Sequence, residues 1–385
     1  MNELTQDYPE LLLREHESPC LSLYQPTHRR HPENAQDPIR FRNLVKVLEE
    51  SLLKKYASRD VGAWLRPFAE LAQDRGFWNH TADGLAVLAA PGLFRTYRLQ
   101  RPTVELAVVA DSFHTKPLLR IAQSADRYQI LGLSKHAYKM FEGNRDALDE
   151  MPPIDDLPQT AKELLALDAD AREGAHRVYG RAGTVSLGGT TRHGTDVKQD
   201  ADDRDTEHFF RAVDQAVRRH YSEHPGQRLI LAALPQHHHL FRTVSDNPHL
   251  MSDTIDVHPD SLTIDELRER AWQLVQPHYL NRLAGFVDAF GAARSSGRGA
   301  GELGSIAAAA VAGRIETLLI DADRVIPGRI DGASGAITLG DLGDPDVDDL
   351  LDELGEATLR ASGEVIIVPS ERMPTSTGAA AIYRF

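Results

Sequence analysis

Apolar positions along the chain follow two periods. Short continuous runs, CLSLYQP from Cys20, GLAVLAAPG from Gly84 and VELAVVAD from Val104, are closed by Gly, Pro or Asp and predict strands. Between the first two, Asp37 and Pro38 stand where a cap and a first-turn proline would. After them Phe41, Leu44, Val45, Leu48, Leu52 and Leu53 fall at helical spacing. A second helix is expected around VGAWLRPFAELAQD. Residues 1–125 thus read as an α+β domain, with no motif in them that carries chemistry.

Residues 126–258 open with RYQILGLSKHAYKMFEGN, the pattern of a β-hairpin ending at Gly143. After a long polar stretch, TEHFFRAVDQAVRRHY shows helical period through Phe210, Val213 and Val217, with Asp203 or Asp205 as its cap. QRLILAAL then reads as a strand buried on both faces.

Residues 259–385 begin with the helical TIDELRERAWQLVQPHYLNRLAGFVDAF, in which Pro277 is expected to kink or break the helix. ARSSGRGAGELG reads as a flexible link. SIAAAAVAG, IETLLID, DVDDLLDELGEATLRAS, EVIIVP and AAAIYRF then alternate helix and strand up to a closing strand, which implies an α/β sandwich. The acids of DLGDPDVDD read as a solvated helix start that favours the positive end of the helix dipole.

Composition narrows the class of protein. With 41% hydrophobic and 26% charged residues over 385 positions, the chain has the make-up of a globular protein with room for two or three cores. A single cysteine, Cys20, excludes an internal disulfide, and no window reaches the ~18 consecutive apolar residues of a membrane helix. The acidic amino terminus lacks the basic start of a secretory signal, and a cytoplasmic protein is expected. A net charge of −14 argues against a protein that coats nucleic acid and confines any RNA contact to a few places.

One segment fits neither period. Residues 177–205, RVYGRAGTVSLGGTTRHGTDVKQDADDRD, combine paired glycines, a basic cluster and an acidic run between two α/β stretches. Unstructured loops longer than ~12–15 residues are uncommon in compact domains and tend to be functional or disordered. Exposed Gly, Thr, Asp and Lys are also the ordinary make-up of a solvated insertion.

The order of elements around this loop resembles the bacterial branch of the archaeo-eukaryotic release factor and Pelota family. The likeness spans roughly residues 126–385. It rests on the hairpin, the Gly-rich loop, the following helix and LILAAL strand, and then GELGSIAAAAVAGRIETLLID and GAAAIYRF. Ala307 to Gly313 followed by Ile315 to Ile320 match the family's helix, glycine and strand; Gly378 to Phe385 match its closing strand more loosely.

The resemblance implies a multi-domain α/β protein of the α+β kind. Its parts would be the α+β domain over 1–125, an RNase H-like central domain over 126–258, and an α/β/α, ribosomal-protein-like RNA-binding domain over 259–385. It implies a release-factor-like translation or ribosome-rescue factor whose partners are the ribosome or tRNA, with a translational GTPase as a further partner, and neither a membrane nor a cofactor. In release factors the central loop carries Gly-Gly-Gln, which directs water onto the peptidyl-tRNA ester, whereas Pelota-type members lack it.

Here the segment departs from the family pattern. Gly188 and Gly189 are followed by Thr190, and a second register, counted back from the helix, places His193, Gly194 and Thr195 at the tripeptide. Neither supplies Gln in third place. Glycines would let backbone approach a crowded RNA site, and Thr190, Thr195 or the nearby Gln199 are the candidates for orienting water. Arg181, Arg192, His193 and Lys198 are the candidate phosphate contacts. Three readings follow: a binding factor without efficient ester hydrolysis, an active peptidyl-tRNA ester hydrolase, or a protein-interaction module that has lost the RNA role. The missing Gln favours the first.

Other chemistries find little support. His237 and His239 in QHHHL share one side of an extended segment, yet no Cys or acid lies at ligand spacing, so a surface loop and no metal are expected. Trp64, Phe77 and Trp78 read as core, and Arg29 and Arg30 as part of a solvated loop. Phosphate-loop, nucleophile-elbow and His-Glu-x-x-His motifs are absent from the sequence. The strand interiors of the central domain carry no carboxylates for a two-metal nuclease.

Overall fold

The computed structural model describes the chain apart from residues 1–3, 5–6, 8–10, 15, 123–125, 156, 168–195 and 223–226. The architecture is mixed α/β, with four sheets among the described residues. Two compact units are present. One joins Met1–Ala125 to Tyr279–Phe385, and the other is Asp126–His278.

The first residues supply β1 (Cys20–Pro26), α1 (Asp37–Leu52), α2 (Ser58–Gln73), β2 (Gly84–Ala90), β3 (Leu93–Leu99), β4 (Leu106–Ala110) and α3 (Lys116–Ala122). The four strands form an antiparallel sheet in the order β3-β2-β1-β4. Strand period two sends alternate side chains to opposite faces, and here both faces are covered. Leu21, Leu23, Leu85 and Val87 pack with Phe41, Leu48 and Phe68 of the two helices and with Trp78. Cys20, Tyr24, Ala86 and Leu88 share a second core with residues from the far end of the chain, among them Ile306, Ala310, Leu351 and Leu354.

The middle unit contains β5 (Tyr128–Leu133), β6 (Tyr138–Gly143), β7 (Leu148–Glu150), α4 (Asp196–Val217), β8 (Arg228–Ala232), α5 (Pro235–Val244) and β9 (Leu250–Ile255). Its sheet runs β7-β6-β5-β8-β9. The β5, β6 and β7 pairings are antiparallel and those of β8 to β5 and β9 are parallel, the RNase H-like arrangement expected for the central domain. β8 lies inside this sheet, and Leu229 to Ala232 are fully buried, as an unbroken apolar run requires. Phe209, Phe210, Val213 and Val217 of α4 cover one face.

α6 (Ile264–Ser295) follows, and it is not broken at Pro277. The ring removes one i→i−4 bond, and packing on both sides compensates. Leu267, Ala271 and Val275 sit in the core of the middle unit; Leu283 and Phe290 sit in the core of the other. The expected flexible link after the helix is instead built structure. Gly297, at φ +74°, closes the helix in the left-handed conformation, with the Arg298 amide bonded to the Ala293 carbonyl at 2.8 Å. Gly299 and Ala300, as β10, then pair with Ile382 and Ala381.

The remaining elements are α7 (Leu303–Val311), β11 (Ile315–Asp321), β12 (Pro327–Ile330), β13 (Ile337–Leu339), β14 (Asp348–Asp349), α8 (Leu350–Arg360), β15 (Glu364–Val368) and β16 (Ala379–Tyr383). They form one sheet in the order β10-β16-β11-β15 and a small one in the order β13-β12-β14. Among the described residues no helix is long and apolar enough to cross a membrane.

Candidate functional site

The segment singled out in the sequence follows β7 and runs into α4. Arg181, Gly188, Gly189, Thr190, Arg192, His193, Gly194 and Thr195 are outside the described residues. Lys198 and Gln199 fall in the first turn of α4, which starts at Asp196, so the Asp-rich end of the expected loop is helix and neither Asp203 nor Asp205 caps it. Acids in the opening turns favour the positive end of the helix dipole, and Phe209, Phe210, Val213 and Val217 anchor the later turns in the core.

The histidines of QHHHL are not in a loop. Pro235 opens α5, and the helix buries His237 and His238. The His237 ring meets Phe210 edge to face at 5.8 Å, and His238 Nε2 lies 2.8 Å from the Ala233 carbonyl. Burial, with Lys135 and neighbouring histidines, holds the His237 pKa below its ordinary value. On a helix, positions i and i+2 do not share a face, so His237 and His239 diverge. Trp78 is buried, with Trp64 and Phe77 packed against the same core. Arg29 is paired to Asp83 at 2.6 Å.

A second site was not expected. His114 and Thr115, in the turn from β4 to α3, and Lys116, the first residue of α3, meet the acids at the start of α8. Asp349 caps that helix by accepting the Leu351 amide at 3.1 Å; it also accepts the Ile326 amide at 2.9 Å and pairs with the buried Lys116 ammonium. Asp352 accepts the Thr115 amide at 2.9 Å through both oxygens, and the Lys116 amide as well. His114 Nδ1 lies 3.1 Å from Asp348 Oδ1. One turn further on, Glu356 Oε2 accepts from Arg360 at 2.9 Å.

His114, Asp348, Asp352 and Glu356 are all at most 3% exposed. One potential ligand atom from each of His114, Asp348 and Asp352 lies within 4.8 Å of the others. His114 Nε2, Asp348 Oδ2 and Glu356 Oε1 are buried without a hydrogen-bond partner. Beside them is a cavity of about 260 Å³ lined by Asp348, Glu353, Glu356, Arg329 and Arg360 among others.

Burial dominates the electrostatics of the site. It pushes the Asp352 carboxyl up to about 7, against the opposing pull of His114, and it likewise raises Glu353 to about 7, against the hydrogen bond from the Ile330 amide. Glu356 is pushed well above the carboxylate range, again by burial and then by Asp352. Burial opposes a charge on His114, yet Asp352 and Asp348 outweigh it and its pKa is raised. Cys20, buried nearby, is pushed up to about 12 by desolvation and then by Glu356, Asp111 and Asp348.

One signal in the sequence could have found this cluster. Asp352 and Glu356 stand at i and i+4, which places both acids on one face of α8, with Asp348 in β14 just ahead of the helix cap. Asp348 and Asp349 are buried, so the solvated reading of the Asp-rich tract fails for its last two acids, while Asp341, Asp344 and Asp346 are exposed.

Comparison with known proteins places the middle of the chain. No curated protein matches it. The archaeal translation termination factor aRF1 is similar over 100% of this chain and 98% of its own, at 14% identity and a TM-score of 0.25. Dom34 of S. cerevisiae, a translation termination-like factor, is similar over 76% of this chain and 73% of its own, at 10% identity and a TM-score of 0.39. Archaeoglobus fulgidus Pelota is similar over 78% and 79% respectively, at 14% identity and a TM-score of 0.27. Residues 127–314 match the model of the bacterial archaeo-eukaryotic release factor family 3, a span that takes in the RNase H-like sheet, the segment between β7 and α4, and α6 and α7. Over these residues the chain is similar to the bacterial archaeo-eukaryotic release factors.

Proposed function

We propose that this protein is a translation factor of the release-factor and Pelota type, which acts in the cytoplasm and engages the ribosome or peptidyl-tRNA through residues 177–205 without efficient ester hydrolysis. The observation that carries the reading is the family match over 127–314, which spans this segment and the sheet around it. Arg181, Arg192, His193 and Lys198 would supply phosphate contacts in a chain of net charge −14, and the glycines Gly188, Gly189 and Gly194 would permit close backbone approach to RNA. In both registers Thr190 or Thr195 takes the place of the release-factor Gln. A hydroxyl on a short branched stem reaches less far than a carboxamide, which favours occupancy of the site over chemistry. A translational GTPase is the companion this reading calls for.

Co-sedimentation with ribosomes, empty and carrying stalled peptidyl-tRNA, tests it at two salt concentrations, because phosphate contacts weaken as salt rises. Salt-sensitive pelleting that prefers the stalled complex, and is lost when Arg181, Arg192 and Lys198 are together changed to Ala, is the expected result. Pelleting unaffected by the triple change removes the segment from RNA contact. No pelleting in either state overturns the reading and leaves a protein partner for the acidic surface. Ester release that falls when Gly188, Gly189 and Gly194 become Ala would replace the binding factor by a hydrolase.

A further inference from the structure

We propose that His114, Asp348 and Asp352 bind a divalent transition-metal cation of the Zn2+ or Mn2+ kind, at a site within the unit formed by the two ends of the chain. Three observations converge on it. The first is geometric: one donor atom from each residue lies within 4.8 Å of the others, although His114 is 234 positions from Asp348 in sequence.

The second is a set of unused donors. Polar atoms buried without partners are rare because each forfeits its hydration. His114 Nε2 and Asp348 Oδ2 are in that state, as is Glu356 Oε1 at the next turn. Asp348 and Glu356 line the adjoining cavity of about 260 Å³. A cation would use electron pairs that the protein leaves idle, and the cavity has room for waters to complete its shell.

The third is charge. Of the buried carboxylates in this cluster, Asp349 has the Lys116 ammonium and Glu356 has the Arg360 guanidinium. Asp348 and Asp352 are left with the imidazole of His114 as their cationic partner, together with the Asp349 amide for Asp348 and the Thr115 and Lys116 amides for Asp352. Two carboxylates and an imidazole match a divalent ion in charge. An imidazole donor favours Zn2+ over Ca2+ and Mg2+, which prefer oxygen alone, and the two carboxylates leave Mn2+ as the second fit. Asp352 keeps lone pairs beyond those its amide donors occupy, since a carboxylate offers about four acceptor directions.

The test uses the full chain, stripped with a chelator and titrated with Co2+, whose visible absorption reports its ligands. One equivalent of bound Co2+ with a visible band, displaced by Zn2+, is expected, together with a raised melting temperature in Zn2+ or Mn2+ and little change in Mg2+ or Ca2+. Asp348→Asn and His114→Gln should each lose the band. A wild-type chain with neither band nor melting shift would overturn the proposal and leave the cluster as protonated carboxyls. A band of equal strength in both variants would assign the ion to surface histidines and also overturn it. Where a variant fails to fold by circular dichroism, the histidine-ring NMR of the wild type decides: Zn2+ must shift the His114 ring nitrogens.

Discussion

Asp352 holds the backbone of Thr115 from 237 positions away, its two carboxylate oxygens both 2.9 Å from the Thr115 nitrogen. With the Lys116 amide also directed to Asp352, this carboxylate closes the turn between β4 and α3 against the start of α8. Changing Asp352 to Ala leaves two buried donors without an acceptor, at ~1–3 kcal/mol for each unsatisfied group. A loss of about 2–6 kcal/mol is expected, read as a lower urea midpoint with an unchanged slope.

Lys116 and Asp349 form a buried pair, at 4% and 0% side-chain exposure. Removing the carboxylate strands an ammonium and also uncaps α8, whereas Lys116→Met removes the charge and fills much of the space. Breaking a buried pair from one side costs ~3–5 kcal/mol. Asp349→Ala should therefore be the more destabilising change by at least ~1 kcal/mol, a helix cap alone being worth about that much. Denaturation curves of the two variants compared with wild type check the order.

Cys20 should be inert. Its side chain is buried in β1 and its pKa is pushed up to about 12, so almost no thiolate exists at pH 8. A colourimetric thiol reagent is expected to label the native chain far more slowly than the urea-unfolded chain. Equal rates would mean that β1 opens freely.

His237 gives the middle unit a pH dependence of known sign. Its folded pKa is held below the ordinary 6.5, first by burial and then by Lys135, His238, His258 and His136. A lowered pKa means that the folded state resists the proton, so the stability it contributes is present above pH 6.5 and lost as pH falls through the depressed value. Chemical denaturation at pH 7.5 and pH 5.5 should show a smaller difference for His237→Gln than for wild type. An identical difference would assign the pH effect to other groups.

The sheets and most helices were legible because their periods are local. GLAVLAA, RLILA and IETLLID carry apolar runs that read as strands, and each is one. The small sheet of β12, β13 and β14 was not legible, since its strands are only two to four residues long and β12 and β14 carry Pro, Gly and Asp, residues that signal turns. The start of α4 was lost for the same reason: Asp200, Asp202 and Asp203 read as loop although they extend a helix that Phe209, Phe210 and Val213 hold in place. The acid pair of α8 was visible as a spacing, but its burial depends on β4 and α3, more than 220 positions earlier. A local pattern carries no information about which distant segment will cover it.

β16 lies inside its sheet, between β10 and β11, and its Ala379, Ala380 and Ala381 are fully buried. They leave the ribosome after every other strand of that sheet. The middle unit is continuous in sequence and can close while synthesis is still under way, but β11 keeps an open edge until Ala379 to Tyr383 arrive. The order of synthesis therefore separates two kinds of interrupted chain. One stopped after residue 278 already holds its RNase H-like sheet, while one stopped a few residues before β16 exposes an apolar, unpaired strand of the sort that chaperones and proteases recognise.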